Sequence, residues 1–294
     1  MATLHQKAYL NHQIVPLAEA NLSIASSAVL YGLSIYTVFY VSPSGKEYRA
    51  FRLRDHYNRL RSSAKIIGLD WPNELDYESF SGIIKDLIGA NAPQKPVFVR
   101  ATLHADGLVP GTRAKGVSTQ LSAFAYDASP IVKSEGVRLK TSQWRRIPDN
   151  SIPSRAKVNG AYVNSVLAHQ DALDAGYDDC IFLDQAGHVC ELAAANIFMV
   201  RGGVLITPDT SSDLLEGINR RAILEMAEKE GIPVHERTVD LTELYIADEV
   251  FVCGTSAFVA SVSEIDGRKI DAPNPITQKI AAWHKQAINN GDII

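Results

Sequence analysis

Four places in the chain carry residue types that could do chemistry together. Lys157 stands in the run SRAKVNGAYVNSVLAHQDAL (154–173), behind small and polar residues and ahead of an apolar periodic stretch. Glu191 opens ELAAANIF, a small-residue run leading into a strand-like segment. Gly217, Ile218 and Asn219 begin a helical pattern, where backbone N–H groups without intrahelical partners can receive an anion such as phosphate. Gly254, Thr255 and Ser256 end an apolar run, and a loop of small hydroxyl residues can also cradle an anion. Each has a plainer reading on its own: a solvated lysine, a capping carboxylate, a helix start that binds water, an ordinary turn. Together, an amine, an acid and an anion cradle are the parts that hold pyridoxal phosphate. The amine would form a Schiff base. The acid would keep the pyridine nitrogen protonated, which makes the ring an electron sink. The cradle would take the phosphate.

Positioning these residues requires a mixed α/β scaffold. Residues 8–15 surround Asn11 and His12, a hairpin turn pattern. Residues 34–41 (SIYTVFYV) are dense in β-branched and aromatic types and read as a strand. SPSGK (42–46) is a turn and 48–52 the returning strand. Leu53, His56, Tyr57, Leu60, Ala64 and Ile67 recur at helical spacing up to Gly68, and a second helix is expected over 77–90. Strands are expected over 96–104 and 118–125, joined by the loop 105–116. The aperiodic stretch 126–135 reads as a linker, dividing an N-terminal domain (1–125) from a C-terminal domain (136–294). In the second half, strand 137–141 precedes an irregular polar run, 142–156. A helix beginning at Lys157 is expected to run to Ala175 and stop at Gly176. Strands follow at 179–184, 196–200, 204–207 and 249–253. Ile218, Ala222, Ile223, Met226 and Ala227 form one helical face closed by Gly231. The fold class is α/β or α+β with two domains.

Composition narrows the function classes. A chain of 294 residues that is 46% hydrophobic and 21% charged is a folded protein large enough for two domains. A net charge of −4 without a basic block argues against nucleic acid as a partner. No apolar stretch nears the roughly 20 residues of a membrane span, and the first residues lack a signal-peptide core. Three cysteines without metal spacing read as buried thiols of a reducing, cytoplasmic compartment. No P-loop, no GxSxG elbow and no HExxH is present, and the eight histidines are scattered, so no metal is expected.

Several longer motifs resemble one family. AVLYG (28–32), FRLRDHYNRLRSSAK (51–65), AKVNGAYVNSVLA (156–168), ELAAANIF (191–198), EGINRRAILEMAEKEGI (216–232) and LYIADEVFVCGTSA (244–257) follow in the order of the class IV, fold-type IV pyridoxal-phosphate aminotransferases. The chain is most similar to the branched-chain amino-acid aminotransferases. The resemblance implies a small N-terminal α/β domain and a larger C-terminal pseudo-barrel domain with the site between them, in at least a homodimer. It makes Lys157 the residue that carries pyridoxal 5′-phosphate and then moves the proton between substrate Cα and cofactor C4′, which needs a neutral amine and so a lowered pKa. Glu191 is matched to the acid on the pyridine nitrogen and Tyr162 to the tyrosine on the ring oxygen. Arg59, the N–H groups of Ile218 and Asn219, and the Thr255 hydroxyl are matched to the phosphate cradle. Tyr31, Tyr36, Phe98, Arg100, Arg113 and Ser256 fall at substrate-pocket positions. Arg100 matches the arginine that receives the side-chain carboxylate of glutamate, and Arg113 lies in the loop where related enzymes place a movable arginine.

Some residues depart from the branched-chain pattern. Where those enzymes read YGTSVFEGIR, this chain reads YGLSIYTVFY, so Tyr36 replaces a phenylalanine and Tyr40 an arginine. Phe98 replaces a tyrosine. Losing a cation and a hydroxyl should weaken binding of an α-carboxylate. Asn219 stands for a threonine. The segment YTVF is similar to that of (R)-selective amine transaminases. The implied activity is amino transfer between branched-chain L-amino acids and 2-oxoglutarate. The alternative is a D-amino acid or (R)-amine transaminase of the same class. A pyruvate-eliminating lyase and a cofactor carrier without turnover stand behind these.

Overall fold

The computed structural model of the chain describes residues 3–108, 111–129, 136–271 and 274–294. It divides into two units, one of Met1–Ser129, Ala156–Ala161 and Ala287–Ile294, the other of Pro130–Arg155 and Tyr162–Gln286. The chain passes from one unit to the other at Ser129, Arg155, Ala161 and Gln286; of the expected linker, 130–135 lie outside the described residues. Two segments read from sequence as part of the second half, 156–161 and 287–294, group with the first unit.

In the first unit, β1 (Leu4–Leu10) and β2 (Gln13–Pro16) form the expected hairpin. Asn11 (φ 49) and His12 (φ 61) both take the left-handed conformation that a tight two-residue turn needs. α1 (Ser27–Tyr31) ends at Gly32. β3 (Ser34–Ser44), β4 (Glu47–Ala50), α2 (Leu53–Ile67), α3 (Tyr77–Asn91), β5 (Val97–Ala105) and β6 (Thr119–Asp127) follow. α2 closes at Gly68 in the left-handed region, and Asp76 caps α3 by accepting the Ser79 N–H at 2.8 Å. The seven-stranded sheet runs from the C-terminal strand Asp292–Ile293 through β4, β3, β5, β6 and β1 to β2. Strand alternation gives it two unlike faces. One carries Ile35, Phe39, Val97, Val99, Leu103 and Ala123, packed under Leu53, Leu60, Phe80, Ile84 and Leu87 of the two helices. Burying side chains of this size contributes about 2 kcal/mol each. The register of β3, β5 and β6 turns Ser34, Tyr36, Tyr40, Phe98, Arg100, Thr102, His104, Ser122 and Tyr126 to the other face.

The second unit holds β7 (Val137–Thr141), α4 (Tyr162–Asp174), β8 (Asp179–Leu183), β9 (Val189–Leu192), β10 (Asn196–Arg201), β11 (Val204–Thr207), α5 (Ile218–Lys229), β12 (Val234–Glu236), α6 (Leu241–Leu244), β13 (Glu249–Gly254), β14 (Phe258–Ile265), β15 (Arg268–Lys269) and most of α7 (Pro275–Asn289). The sheet order is β12, β11, β10, β13, β14, β7, β8, β9, with β15 against β14. β9, last in that order, returns to β10 through the Leu192 N–H, which donates to the Ala195 carbonyl at 2.8 Å. One apolar cluster draws on β7, β8, β9, β10, β13 and β14, as the inside of a half-barrel must. α5 and α7 cover Phe198, Phe251 and Cys253 on the outside, and α4 covers Cys180, Phe182 and Cys190. All three cysteines are free and buried, as expected, and burial pushes the Cys253 thiol up to about 12.

The helix expected from Lys157 begins only at Tyr162. Residues 157–159 instead lie along β3, with a bridge at Val158, and a bend and turn over 159–161 precede the helix. The Tyr36 N–H donates to the Lys157 carbonyl at 3.0 Å, and the Asn159 N–H to the Ser34 carbonyl at 2.8 Å. β4 pairs only with residues 41–44 of β3, so the first half of that edge has room for this segment. No helix among the described residues is long and apolar enough to cross a membrane.

Candidate active site

In the first unit, backbone pairing places the lysine. The Ile35–Val158 bridge puts Val158 on the core face, so Lys157 and Asn159 fall on the opposite face with Tyr36 and Ser34. There the Lys157 Nζ lies 4.9 Å from the centroid of the Tyr36 ring, and the Arg100 guanidinium carbon stacks 3.6 Å from it. Both distances are within cation–π range. Arg100 Nη2 donates to Asn159 Oδ1 at 2.5 Å, and Asn159 Nδ2 donates to Ser34 Oγ at 2.6 Å. α2 reaches the same segment through Ser63, whose hydroxyl accepts the Lys157 N–H at 3.2 Å and donates to the Arg59 carbonyl at 2.9 Å. Arg59 Nη2 in turn donates to Thr37 Oγ1 at 3.3 Å, and Thr37 lies 2.7 Å from His56 Nδ1. Lys157, Arg59, Arg100 and Tyr36 are therefore one connected group.

Beyond this group the face carries aromatic rings beside the polar Thr102, His104 and Ser122. Phe98 is fully buried between Tyr40 (ring centroids 6.1 Å apart) and Tyr126 (5.7 Å). Tyr40, where the family pattern has an arginine, is buried, and its hydroxyl donates to Asn289 Oδ1 at 3.2 Å. His104 lies 2.7 Å from Ser122 Oγ, and burial, with the Arg100 charge second, holds its imidazole down at about 4. It is neutral near pH 7 and adds no charge to the face. Tyr31 ends α1 half-exposed, and Arg113 is exposed in the β5–β6 connection, bonded to none of the described residues. Neither joins the Lys157 group by a direct contact among the described residues.

In the second unit a buried carboxylate and a helix start come together. Glu191, at the end of β9, is 5% exposed. Its Oε1 accepts from Arg146 Nη2 at 2.8 Å, and its Oε2 from Asn196 Nδ2 and the Leu215 N–H, each at 3.2 Å. Asn196 also packs against Gly217, where an added Cβ would meet its Oδ1 at 2.1 Å, so only glycine fits there. Gly217 caps α5 without any side-chain bond, leaving Ile218 and Asn219 in an open first turn. Asn219 is buried, with its Oδ1 3.1 Å from His284 Nε2. The oxygen only accepts, so the imidazole donates. Gly254 abuts Ala194 and Ala195, which brings Thr255 and Ser256 to the same end of the sheet. Tyr162 is the first residue of α4.

Sequence reasoning missed Asn159, Arg146, Asn196 and His284. Asn159 and Asn196 stood inside motifs singled out for other residues. Arg146 lay in a run without periodicity, and nothing local to His284 pointed to Asn219, 65 residues away.

These donor sets fit pyridoxal phosphate. A buried carboxylate suits a protonated pyridine nitrogen. In the second unit an uncapped helix start suits a phosphate. Comparison with known proteins agrees. The class IV aminotransferase family pattern matches residues 34–265. A probable branched-chain-amino-acid aminotransferase of Aquifex aeolicus is 36% identical over 289 residues, covering 96% of this chain and 92% of its own. The crystal structure of a branched-chain aminotransferase of Thermoproteus uzoniensis with norvaline superposes with a TM-score of 0.93 at 34% identity, over 99% of this chain and 96% of that one. The enzyme of Thermobaculum terrenum in its holo form with pyridoxal phosphate gives 0.90 at 30% identity, over 98% and 95%.

Proposed function

The chain belongs to the class IV aminotransferases, pyridoxal-phosphate-dependent transaminases, and from that premise we propose that it moves the amino group of branched-chain L-amino acids to 2-oxoglutarate. The observation that carries this reading is the Tyr36–Arg100–Lys157 group: an amine and a guanidinium side by side on a face that also carries the Tyr40 and Phe98 rings. Aromatic walls suit an aliphatic side chain, and Arg100 suits the second carboxylate of glutamate.

The residue roles follow from chemistry. Lys157 would carry the cofactor, and its amine, once released, would be the base that moves the proton at the substrate Cα. Glu191, held by Arg146, Asn196 and Leu215, would receive the N–H of the pyridine ring. Bound there, the cofactor supplies an electron sink for the bond being broken at Cα. Arg59, the Ile218 and Asn219 N–H groups and Thr255 would hold the phosphate. Tyr162 would bond the ring oxygen. Arg113 and Tyr31 complete the substrate pocket with Phe98 and Ser256. The protein works as a cytoplasmic homodimer. Three reduced, buried thiols support the compartment, and the exposed Val163, Val166 and Leu167 of α4 give the dimer an apolar face.

One observation favours a second reading. Tyr40 puts a buried, already bonded hydroxyl where the family pattern has an arginine, which suits a D-amino acid or (R)-amine donor. The test is a half-reaction screen of the holoenzyme. Cofactor absorbance is followed after adding L-leucine, L-glutamate, D-alanine and (R)-1-phenylethylamine separately. Bleaching by the two L-amino acids alone is the expected result. Bleaching by D-alanine or the amine, without L-leucine, would replace the first reading by the second. Lys157→Ala should abolish turnover with the circular dichroism unchanged.

A further inference from the structure

We propose that Asn159 is a positioning residue that sets specificity for dicarboxylate substrates, by fixing the Arg100 guanidinium as a preformed carboxylate receptor. The inference rests on the transaminase reading above and deepens it.

Two contacts fix the arginine. The Tyr36 ring, 3.6 Å from the guanidinium carbon, sets its plane. The Asn159 Oδ1, 2.5 Å from Nη2, sets its rotation within that plane. Asn159 is itself immobilised twice, through its Nδ2 on Ser34 Oγ at 2.6 Å and its N–H on the Ser34 carbonyl at 2.8 Å. The amide orientation is unambiguous, because a guanidinium only donates and so must face the amide oxygen. A neutral acceptor leaves the positive charge in place. It also takes only one Nη2 hydrogen. The guanidinium has two forks that use Nη2, and occupying one hydrogen leaves the other fork whole for a bidentate carboxylate. Arginine otherwise brings substantial rotamer entropy to a binding event. Here that freedom is already lost before substrate arrives, which is what preorganisation contributes to affinity. The neighbours do not compete: His104 is neutral near pH 7, and Tyr126, raised by burial, stays protonated.

The test measures dead-end inhibition of the holoenzyme by glutarate, a dicarboxylate, and by 4-methylpentanoate, a monocarboxylate of similar size. In Asn159→Ala the inhibition constant for glutarate should rise roughly tenfold, the low end for a hydrogen bond to a charged group. That for 4-methylpentanoate should move less than about twofold, since it does not need the second receptor. KM for 2-oxoglutarate should rise in parallel, and by more than KM for a branched-chain 2-oxo acid. Ser34→Ala, which frees the Asn159 amide without touching Arg100, should move glutarate in the same direction by less. Asn159→Asp should hold the arginine but cancel its charge, and weaken glutarate further than Asn159→Ala. Equal changes for both inhibitors, or none for glutarate, would overturn the proposal with the transaminase reading intact. No inhibition of the wild-type enzyme by glutarate, while 4-methylpentanoate competes, would overturn it as well, because Arg100 would not be a receptor. Failure of every amino donor to bleach the cofactor would instead overturn the reading on which it rests.

Discussion

Arg146→Met tests the part of the site with the highest electrostatic stakes. Glu191 and Arg146 are both largely buried, with side chains 7% and 12% exposed, and meet at 2.8 Å. Removing one partner of such a pair leaves a charge in a dry environment, at a cost of about 3–5 kcal/mol. Glu191 would keep two neutral donors, Asn196 and the Leu215 N–H, which puts the loss near the lower end, about 3 kcal/mol. Glu191→Gln leaves the opposite problem, a buried guanidinium. Its Nε is already buried with no acceptor among the described residues, so the whole pair is worth less than the cost of breaking it. The double variant should therefore lose less than the two single losses added, by about 2 kcal/mol or more. The assay is urea unfolding of the cofactor-free protein at pH 7 for the wild type, both singles and the double. Single losses that add to within about 0.5 kcal/mol would refute the reasoning, because that is the behaviour of independent sites.

Three further outcomes follow from particular contacts. Arg100→Ala should raise KM for L-glutamate more than for L-leucine, and equal changes in the two steady-state constants would mean that Arg100 does not read the side chain. His284 is buried and held at about 4 by desolvation. The unfolded imidazole gains its proton near 6.5 while the folded one stays neutral, so this stability is full above about pH 6.5 and is lost as pH falls towards 4, in total about 3 kcal/mol. His284→Gln should flatten the stability difference between pH 7 and pH 4 by that amount in urea titrations; an unchanged slope would show that the imidazole titrates freely in the folded state. Gly32→Ala should be strongly destabilising, by about 2 kcal/mol or more. Its φ is +63° and the new Cβ would lie 2.8 Å from the Gly160 Cα. Cofactor occupancy should fall with it, measured as absorbance per chain, and full occupancy at wild-type stability would count against the close approach of the two segments.

Elements with strong local patterns were legible in the sequence. The hairpin at Asn11 and His12, the helices that became α2 and α3, and the strands β3, β5 and β13 lie close to where alternation, helical spacing and turn residues put them. The start of α4 was not. An apolar periodic run from 162 onward extends backward by eye to Lys157, and only the bonds of 157–159 to β3, more than a hundred residues earlier, keep that stretch out of the helix. Non-local hydrogen bonds of this kind leave no periodic mark. The same holds for the partners of the site residues. Glu191 stood out as an acid before a small-residue run, yet Arg146, 45 positions earlier, is held to it by the half-barrel alone. The departures at 36–40 were visible as letters, but not that Tyr40 would turn its hydroxyl to Asn289. Residues 258–294 gave no reading, although β14 crosses the middle of its sheet and Glu249 accepts the Ile276 and Thr277 N–H groups at the start of α7, at 3.0 and 2.7 Å.

The strand-edge docking of 157–160 decides more than the position of one backbone. In a paired strand successive side chains alternate between faces, so register decides which residues can do chemistry. Pairing Ile35 with Val158 sends Val158 into the apolar core and puts Lys157 and Asn159 over Tyr36 and Ser34. A slip of one residue would exchange them. Val158 would then face the polar side, and the lysine amine would face Leu60 and its neighbours, at a desolvation cost far above any gain from the slipped hydrogen bonds. The pairing is protected at its end by Gly32 and Gly160, whose backbones approach too closely for any side chain, and at its start by the Ser63 hydroxyl on the Lys157 N–H. The lysine is thus held at the backbone on both sides, with its amine kept on the face that carries Tyr36 and Arg100.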